Sequence, residues 1–259
     1  RAVVIKSDHH FTCCDVNRCG MLLGSQPDTK LLNEFGANDG DEITDSIIRY
    51  KSIARNHEYR SFASEKDCEW HYTLPTEETC VSVGLSQKFA VVATNRRYLR
   101  ILSVGGLQTH QIVRLPKNVI HIAGNAENNI IGVTFEDLSV WVLDLDDTNK
   151  CLYDGFVPVT HSQCDVIRMF IIGNQKHWSL VSIDSENIMS LFTGRQWIVL
   201  LDINESLHTK YPGNADELGN AAEMRPKGVW PVYFDMNEQC LMVMELKFVE
   251  QPIPSQSTG

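Results

Sequence analysis

The chain has 259 residues, 43% of them hydrophobic and 22% charged, which is enough apolar material for one large core and far from the composition of a disordered chain. Its formal charge of −10 repels phosphate backbones, so direct DNA binding by this chain is not expected. The longest apolar stretches, such as Phe89 to Thr94 and Ile167 to Ile172, fall far short of the roughly 20 residues of a membrane-spanning helix, and no membrane partner is expected.

The chain opens at Arg1, and Ala2-Val3-Val4-Ile5 is followed at once by polar residues, so it is read as a fragment without a signal peptide. Eight cysteines at irregular spacing then read as reduced thiols in an intracellular protein rather than a disulfide framework. Residues 1–24 and 25–79 are less regular, with a strand near Val3 to Ile5 and a Gly-, Asp- and Asn-dense loop from Asn33 to Ser46. From Cys80 a strand rhythm sets in: Cys80 to Val83, Phe89 to Thr94, Tyr98 to Ser103 and Gln111 to Leu115, joined by Asn95-Arg96-Arg97 and Val104-Gly105-Gly106-Leu107. These connections are short enough for antiparallel hairpins, so the unit is a four-stranded meander.

The rhythm restarts with Val119 to Ile122, Asn129 to Phe135, Leu138 to Leu145 and, past the Asp146-Asp147-Thr148-Asn149 turn, Phe156 to Thr160. A third copy runs through Val166, Trp178 to Asp184, Ile188 to Phe192 and Gln196 to Asp202. Equivalent strands thus recur every roughly 40 to 50 residues, the period of propeller blades, and dividing the length by about 43 predicts about six blades. The predicted fold is an all-β propeller of four-stranded blades, one domain over 1–249. The stretch Asn204 to Gly228 reads as a second long loop with a candidate helical turn from Ala215 to Met224. Strands at Val229 to Phe234 and Leu241 to Leu246 are placed to close the ring with Val3 to Ile5, and 250–259 form a Pro/Ser tail.

No motif carries catalysis, and no catalytic, cofactor-binding, metal-binding or partner-binding residue is assigned. His9, His10, Cys13, Cys14 and Cys19 are the densest soft-ligand group, but they lack a Cys-x-x-Cys pair, and strand neighbours Cys13 and Cys14 point to opposite faces. Asp144, Asp146 and Asp147, and likewise Asp39, Asp41 and Glu42, miss the full calcium-loop pattern and read as turn chemistry. Gly105-Gly106 alone cannot cradle a phosphate, and there is no Gly-x-Ser-x-Gly, P-loop or His-Glu-x-x-His. Arg96, Arg97 and Arg100 read as solvated charges that protect a sheet edge, with an acidic partner as the alternative. Trp70, Trp141, Trp178, Trp197 and Trp230 fall on strands and read as core.

The stretch Val83-Gly84-Leu85-Ser86-Gln87-Lys88-Phe89-Ala90-Val91-Val92-Ala93-Thr94, with Tyr98-Leu99-Arg100-Ile101-Leu102-Ser103-Val104-Gly105-Gly106-Leu107-Gln108, resembles the SepB propeller of a replisome hub family. That family comprises the chromosome transmission fidelity protein of yeast and the acidic nucleoplasmic DNA-binding protein of animals, a WD-repeat and HMG-box protein. Ile122-Ala123-Gly124, Val181 to Glu186 and Val229-Trp230-Pro231 are similar to family segments, so the resemblance covers about 68–249. It implies a non-enzymatic, homotrimeric nuclear scaffold for DNA replication and sister chromatid cohesion, linking the replicative helicase through GINS to DNA polymerase alpha. It further implies that partner peptides dock on a helical domain beyond the tail, outside this chain. A generic WD-type propeller that binds peptides of another intracellular complex is the alternative, and a propeller hydrolase with a channel-centred acidic metal site is the third reading.

Overall fold

In a computed structural model the described residues are 11–26, 45–53, 69–109, 111–147, 150–203, 205, 228–235 and 240–246. They form four four-stranded antiparallel sheets and one two-stranded sheet. The first sheet runs β1 (Phe11–Val16), β2 (Gly20–Ser25), β3 (Ile47–Ser52) and β4 (Glu69–Thr73). The second holds β5 (Cys80–Leu85), β6 (Phe89–Thr94), β7 (Tyr98–Ser103) and β8 (Val113–Arg114). The third holds β9 (Val119–Ala123), β10 (Ile130–Phe135), β11 (Ser139–Asp144) and β12 (Lys150–Phe156). The fourth holds β13 (Val166–Gly173), β14 (Trp178–Asp184), β15 (Ile188–Phe192) and β16 (Trp197–Asp202), and β17 (Gly228–Asp235) pairs with β18 (Cys240–Leu246).

Strands follow chain order within each four-stranded sheet, and the first strands of consecutive sheets touch: β1 on β5, β5 on β9, β9 on β13, β13 on β17. This is the meander-blade architecture of a propeller, with the first strands innermost.

Packing explains why the middle strands read as unbroken apolar runs. A blade lies between two others, so both of its faces are buried, and successive side chains serve different interfaces. In β6, Phe89, Val91 and Ala93 face the third sheet, and Ala90 and Val92 face the first. In β14, Leu180 joins the core shared with the third sheet, while Val181 and Ile183 lie in a separate core on the opposite face. Fully burying a Leu, Ile or Val stabilises by about 1.5–3 kcal/mol, so each inter-sheet core is worth far more than any single polar contact.

Four of the five tryptophans pack against aromatic neighbours, as expected of core residues. Trp70 stacks on Tyr50 at 5.5 Å, Trp141 meets Phe135 edge-on at 5.3 Å, and Trp178 and Trp197 lie 6.4 and 5.4 Å from Phe192. Trp230 lies on β17, where only the backbone is described. The register there shifts between Pro231 and Tyr233, consistent with the preference of proline for bulges in strands.

Several expectations are corrected. Residues read as irregular contain the complete first sheet, because its strands are separated by 26–46 and 53–68 and so escape the blade period. The described residues hold five sheets, four of them four-stranded, of the about six blades that division by blade length gives. The fourth strand of the third sheet lies at Lys150–Phe156 rather than at Phe156 to Thr160. It is an outer strand whose residues are all exposed or half-buried. The fourth strand of the second sheet shortens from Gln111–Leu115 to Val113–Arg114. The strand at Val3 to Ile5, the loop at Asp39 to Glu42, the candidate helix at Ala215 to Met224 and the tail lie outside the described residues.

Candidate functional site

Cys13, Cys14, Cys19, Cys80, Cys151 and Cys164 are free thiols. Cys13 is half-buried and Cys14 exposed on alternating faces of β1, while Cys19 is buried beyond the strand. Cys13 instead meets Cys80 of the second sheet at 3.4 Å. That shared S–H contact lowers Cys13, and together with burial it holds Cys80 protonated. His9 and His10 lie outside the described residues.

The acidic turn after β11 behaves as turn chemistry and adds an inter-sheet joint. Asp144 accepts from the Asp146 N–H at 3.0 Å and from Gln175 Nε2 at 2.8 Å. Asp146 accepts from Asn129 Nδ2 at 2.8 Å. Asn129 in turn accepts from the Lys88 N–H at 2.9 Å, and its own N–H donates to Gln175 Oε1 at 3.0 Å. One buried asparagine thereby links the second, third and fourth sheets.

The arginine reading holds for two residues and fails for one. Arg96 is exposed and pairs with Glu77, and Arg97 takes φ +59° and donates to the Pro116 carbonyl at 3.0 Å. Arg100 is only 5% exposed. It donates to both oxygens of Glu78, at 2.9 and 2.6 Å, and to Tyr72 on β4 at 3.4 Å and Gln108 at 3.2 Å. Charge-assisted hydrogen bonds to Glu78 raise its pKa above the ordinary arginine value. Both faces of β7 are covered by neighbouring sheets, so an arginine there must bury its charge and bring a partner.

The propeller axis carries a second polar group. Arg168 on β13 reaches Asp15 on β1 at 3.8 Å, joining the first and fourth sheets across the inner strands. Asp15 also accepts from the Leu85 N–H at 2.7 Å. Burial raises the Asp15 carboxyl against the opposing pull of Arg168 and these N–H groups. His121 on β9 lies 3.4 Å from the Met169 carbonyl, and burial, with the nearby Arg168 charge, lowers it to about 4. Among the described residues the inner strands thus bring together a neutral imidazole and an ion pair, with no nucleophile aligned with a base.

The exposed chemistry lies on the outer rim. Ile198, Val199 and Leu200 of β16 are 36%, 70% and 41% exposed, three consecutive apolar residues on the strand that ends the fourth sheet among the described residues. The register of β15 against β16 shifts between Met189 and Ser190, which oppose Leu201 and Val199. This bulge breaks the alternation that would turn one of the three inward. The other outer strands expose polar residues at Glu69 and His71 of β4 and at Lys150 and Asp154 of β12, although Phe156 at the end of β12 is 64% exposed. Strand periodicity alone could not separate this run from a core strand.

Comparison with known proteins fits this geometry. The family described as "Minichromosome loss protein, Mcl1, middle region" matches residues 1–256. The human WD repeat and HMG-box DNA-binding protein 1 is 27% identical over 158 residues, 57% of this chain and 13% of that protein. The chain thus matches only about an eighth of that relative's length. Among solved structures, U3-55K aligns with a TM-score of 0.51 at 12% identity, over 77% of this chain and 54% of that one. The RRP9 WD40 repeats align with a TM-score of 0.50 at 12% identity, over 77% and 53%. These two share the WD40-type propeller fold.

Proposed function

The chain belongs to the Mcl1 middle-region family, and on that premise we propose that it is a non-enzymatic, self-associating propeller in a nuclear scaffold of the DNA replication fork. The scaffold links the replicative helicase, through its GINS component, to DNA polymerase alpha, and the propeller supplies a homotrimeric core. The human relative's name, a WD-repeat and HMG-box DNA-binding protein, supports a setting on chromosomal DNA. The chain's own charge of −10 favours contact with proteins there over contact with the phosphate backbone.

The observation that carries self-association is the Ile198-Val199-Leu200 edge. An exposed apolar edge strand invites pairing with another chain unless something covers it, and a symmetric copy is the simplest cover. Light scattering of the purified chain is expected to give a trimer mass. Val199→Lys places a charge at the most exposed position of the edge and is expected to shift the mass to monomer without changing the far-ultraviolet circular dichroism. A monomer throughout the micromolar range for the unsubstituted chain would overturn the oligomeric part of the proposal. Failure of the full-length protein to co-purify GINS or polymerase alpha subunits would overturn the rest.

A further inference from the structure

The connection from β12 to β13, residues 157–165, folds over the tip of the β14–β15 hairpin. Asp184 organises both segments. Its Oδ2 accepts from Thr160 N at 2.9 Å and Thr160 Oγ1 at 2.6 Å. Its Oδ1 accepts from the Glu186 N–H at 3.1 Å and the Ile188 N–H at 3.0 Å. The Ser185 N–H donates to the Asp165 carbonyl at 2.9 Å, and Asn187 takes φ +63° to close the hairpin. The Cys164 N–H donates to the His161 carbonyl at 2.9 Å, a turn that puts residues 161 and 164 on one side.

These constraints bring Glu186, from the β14–β15 hairpin, onto the His161–Cys164 turn. Cys164 Sγ is 3.2 Å from His161 Nε2, and His161 Nε2 is 3.5 Å from Glu186 Oε1. All three ligand atoms lie within 4.8 Å of one another. A tetrahedral zinc ion with bonds of about 2.0–2.3 Å holds its ligands about 3.3–3.7 Å apart, so the His161 pairs with Cys164 and Glu186 are already near coordination spacing. Thiolate, imidazole and carboxylate together suit zinc and disfavour calcium or magnesium, which take oxygen ligands. Two anionic ligands and one neutral ligand also balance a divalent charge.

We propose that His161, Cys164 and Glu186 form a zinc site on the rim of the fourth sheet, with water in the fourth position. Cys164 is buried and fixed by the turn, whereas His161 and Glu186 are exposed, so the ion enters from solvent and the two outer ligands close on it. Before binding, the Gln163 N–H lies 3.3 Å from His161 Nδ1, which places the imidazole proton on Nε2. Coordination through Nε2 moves that proton to Nδ1 and gives up this long contact. The Cys164 thiol loses its proton to solvent, so one proton is released per ion bound.

The test is cobalt substitution of the chelator-stripped chain. One equivalent of cobalt(II) is expected to give visible bands of tetrahedral intensity and a sulfur-to-metal charge-transfer band in the near ultraviolet. Calorimetric zinc titration in two buffers of different ionisation enthalpy should report about one proton released per ion. Cys164→Ser is expected to abolish the charge-transfer band. His161→Ala, an exposed change that leaves the fold intact, should weaken zinc binding by about tenfold or more. Cys151→Ser, which removes an exposed thiol from β12, should change nothing. Absence of a stoichiometric thiolate band, or a band that survives Cys164→Ser with binding unchanged in His161→Ala, would overturn the site.

Discussion

Breaking the Arg100–Glu78 pair is expected to be among the costliest single changes a polar residue of this chain can suffer. Their side chains are 6% and 9% exposed, against 52% and 72% for the neighbouring Arg96–Glu77 pair. Arg100→Met keeps the length of the side chain and strips Glu78 of two charge-assisted hydrogen bonds, leaving a carboxylate buried without its counter-charge. Removing one partner of a buried pair costs about 3–5 kcal/mol. For a domain of this size each kcal/mol moves Tm by about 2–4 °C, so the expected fall is roughly 6–20 °C. Arg96→Ala, which removes an exposed pair, is expected to cost less than about 1 kcal/mol. The double change Arg100→Met with Glu78→Leu should recover part of the loss, since no unpaired charge remains. Urea unfolding and differential scanning calorimetry of the four proteins check this. An Arg100→Met cost below about 1 kcal/mol, comparable to a surface pair, would refute the burial reasoning.

Two further outcomes follow from the axis and from the inner strands. His121 is held neutral, with a folded value of about 4 against an ordinary 6.5. The unfolded chain therefore binds a proton that the folded chain refuses, and the contribution of His121, complete above pH 6.5, is lost as pH falls toward 4. The loss is on the order of 3 kcal/mol. Asp15 and Arg168 face the same space, and the raised Asp15 carboxyl acts in the opposite sense, losing its contribution as pH rises. Comparison with His121→Gln in urea unfolding across this range isolates the histidine, and an unaltered pH slope in the variant would sink the assignment. A Cβ at Gly124 would lie 2.3 Å from the Leu85 carbonyl oxygen, so Gly124→Ala is expected to cost about 1–3 kcal/mol. Gly132→Ala meets only side-chain ends, at 3.3 Å or more, and should cost less. Equal melting temperatures for the two variants would contradict the close approach.

The blade rhythm was legible wherever short turns kept the period, from Cys80 to Asp202, because a buried middle strand such as Phe89–Thr94 must be apolar on both faces. The same double burial hid what distinguishes one position from another. Arg100 looked solvated because a charge beside Arg96 and Arg97 gives no sign that Glu78 and Tyr72 will close over it. The first sheet stayed hidden because chain length between strands, rather than their composition, breaks the period. Ile198 to Leu200 has the composition of a core strand, and only its place at the end of the sheet order exposes it. His161, Cys164 and Glu186 escaped notice because the third ligand comes from the next hairpin, brought near by Asp184 and Thr160, a pairing no local spacing encodes.

The segments that carry the family resemblance acquire a physical meaning from the inter-sheet contacts. Gly84 and Gly124 stand where β5 and the end of β9 approach most closely: a Cβ at Gly84 would strike Ile122 at 2.3 Å. Gly106, at φ +88°, lies against Trp70, whose indole N–H donates to the Val104 carbonyl at 2.9 Å. Arg100, in the same segment, reaches Tyr72 of the preceding sheet. The apolar cores between sheets are large but non-directional, and would tolerate a blade that slid or tilted by a fraction of a residue. Glycines that permit contact at only one register, and buried polar pairs that are satisfied at only one, exclude those alternatives. The recognisable residues of this chain are thus the joints between blades, which is why they identify a propeller and its family while the exposed edge of β16 and the His161 cluster carry its outward chemistry.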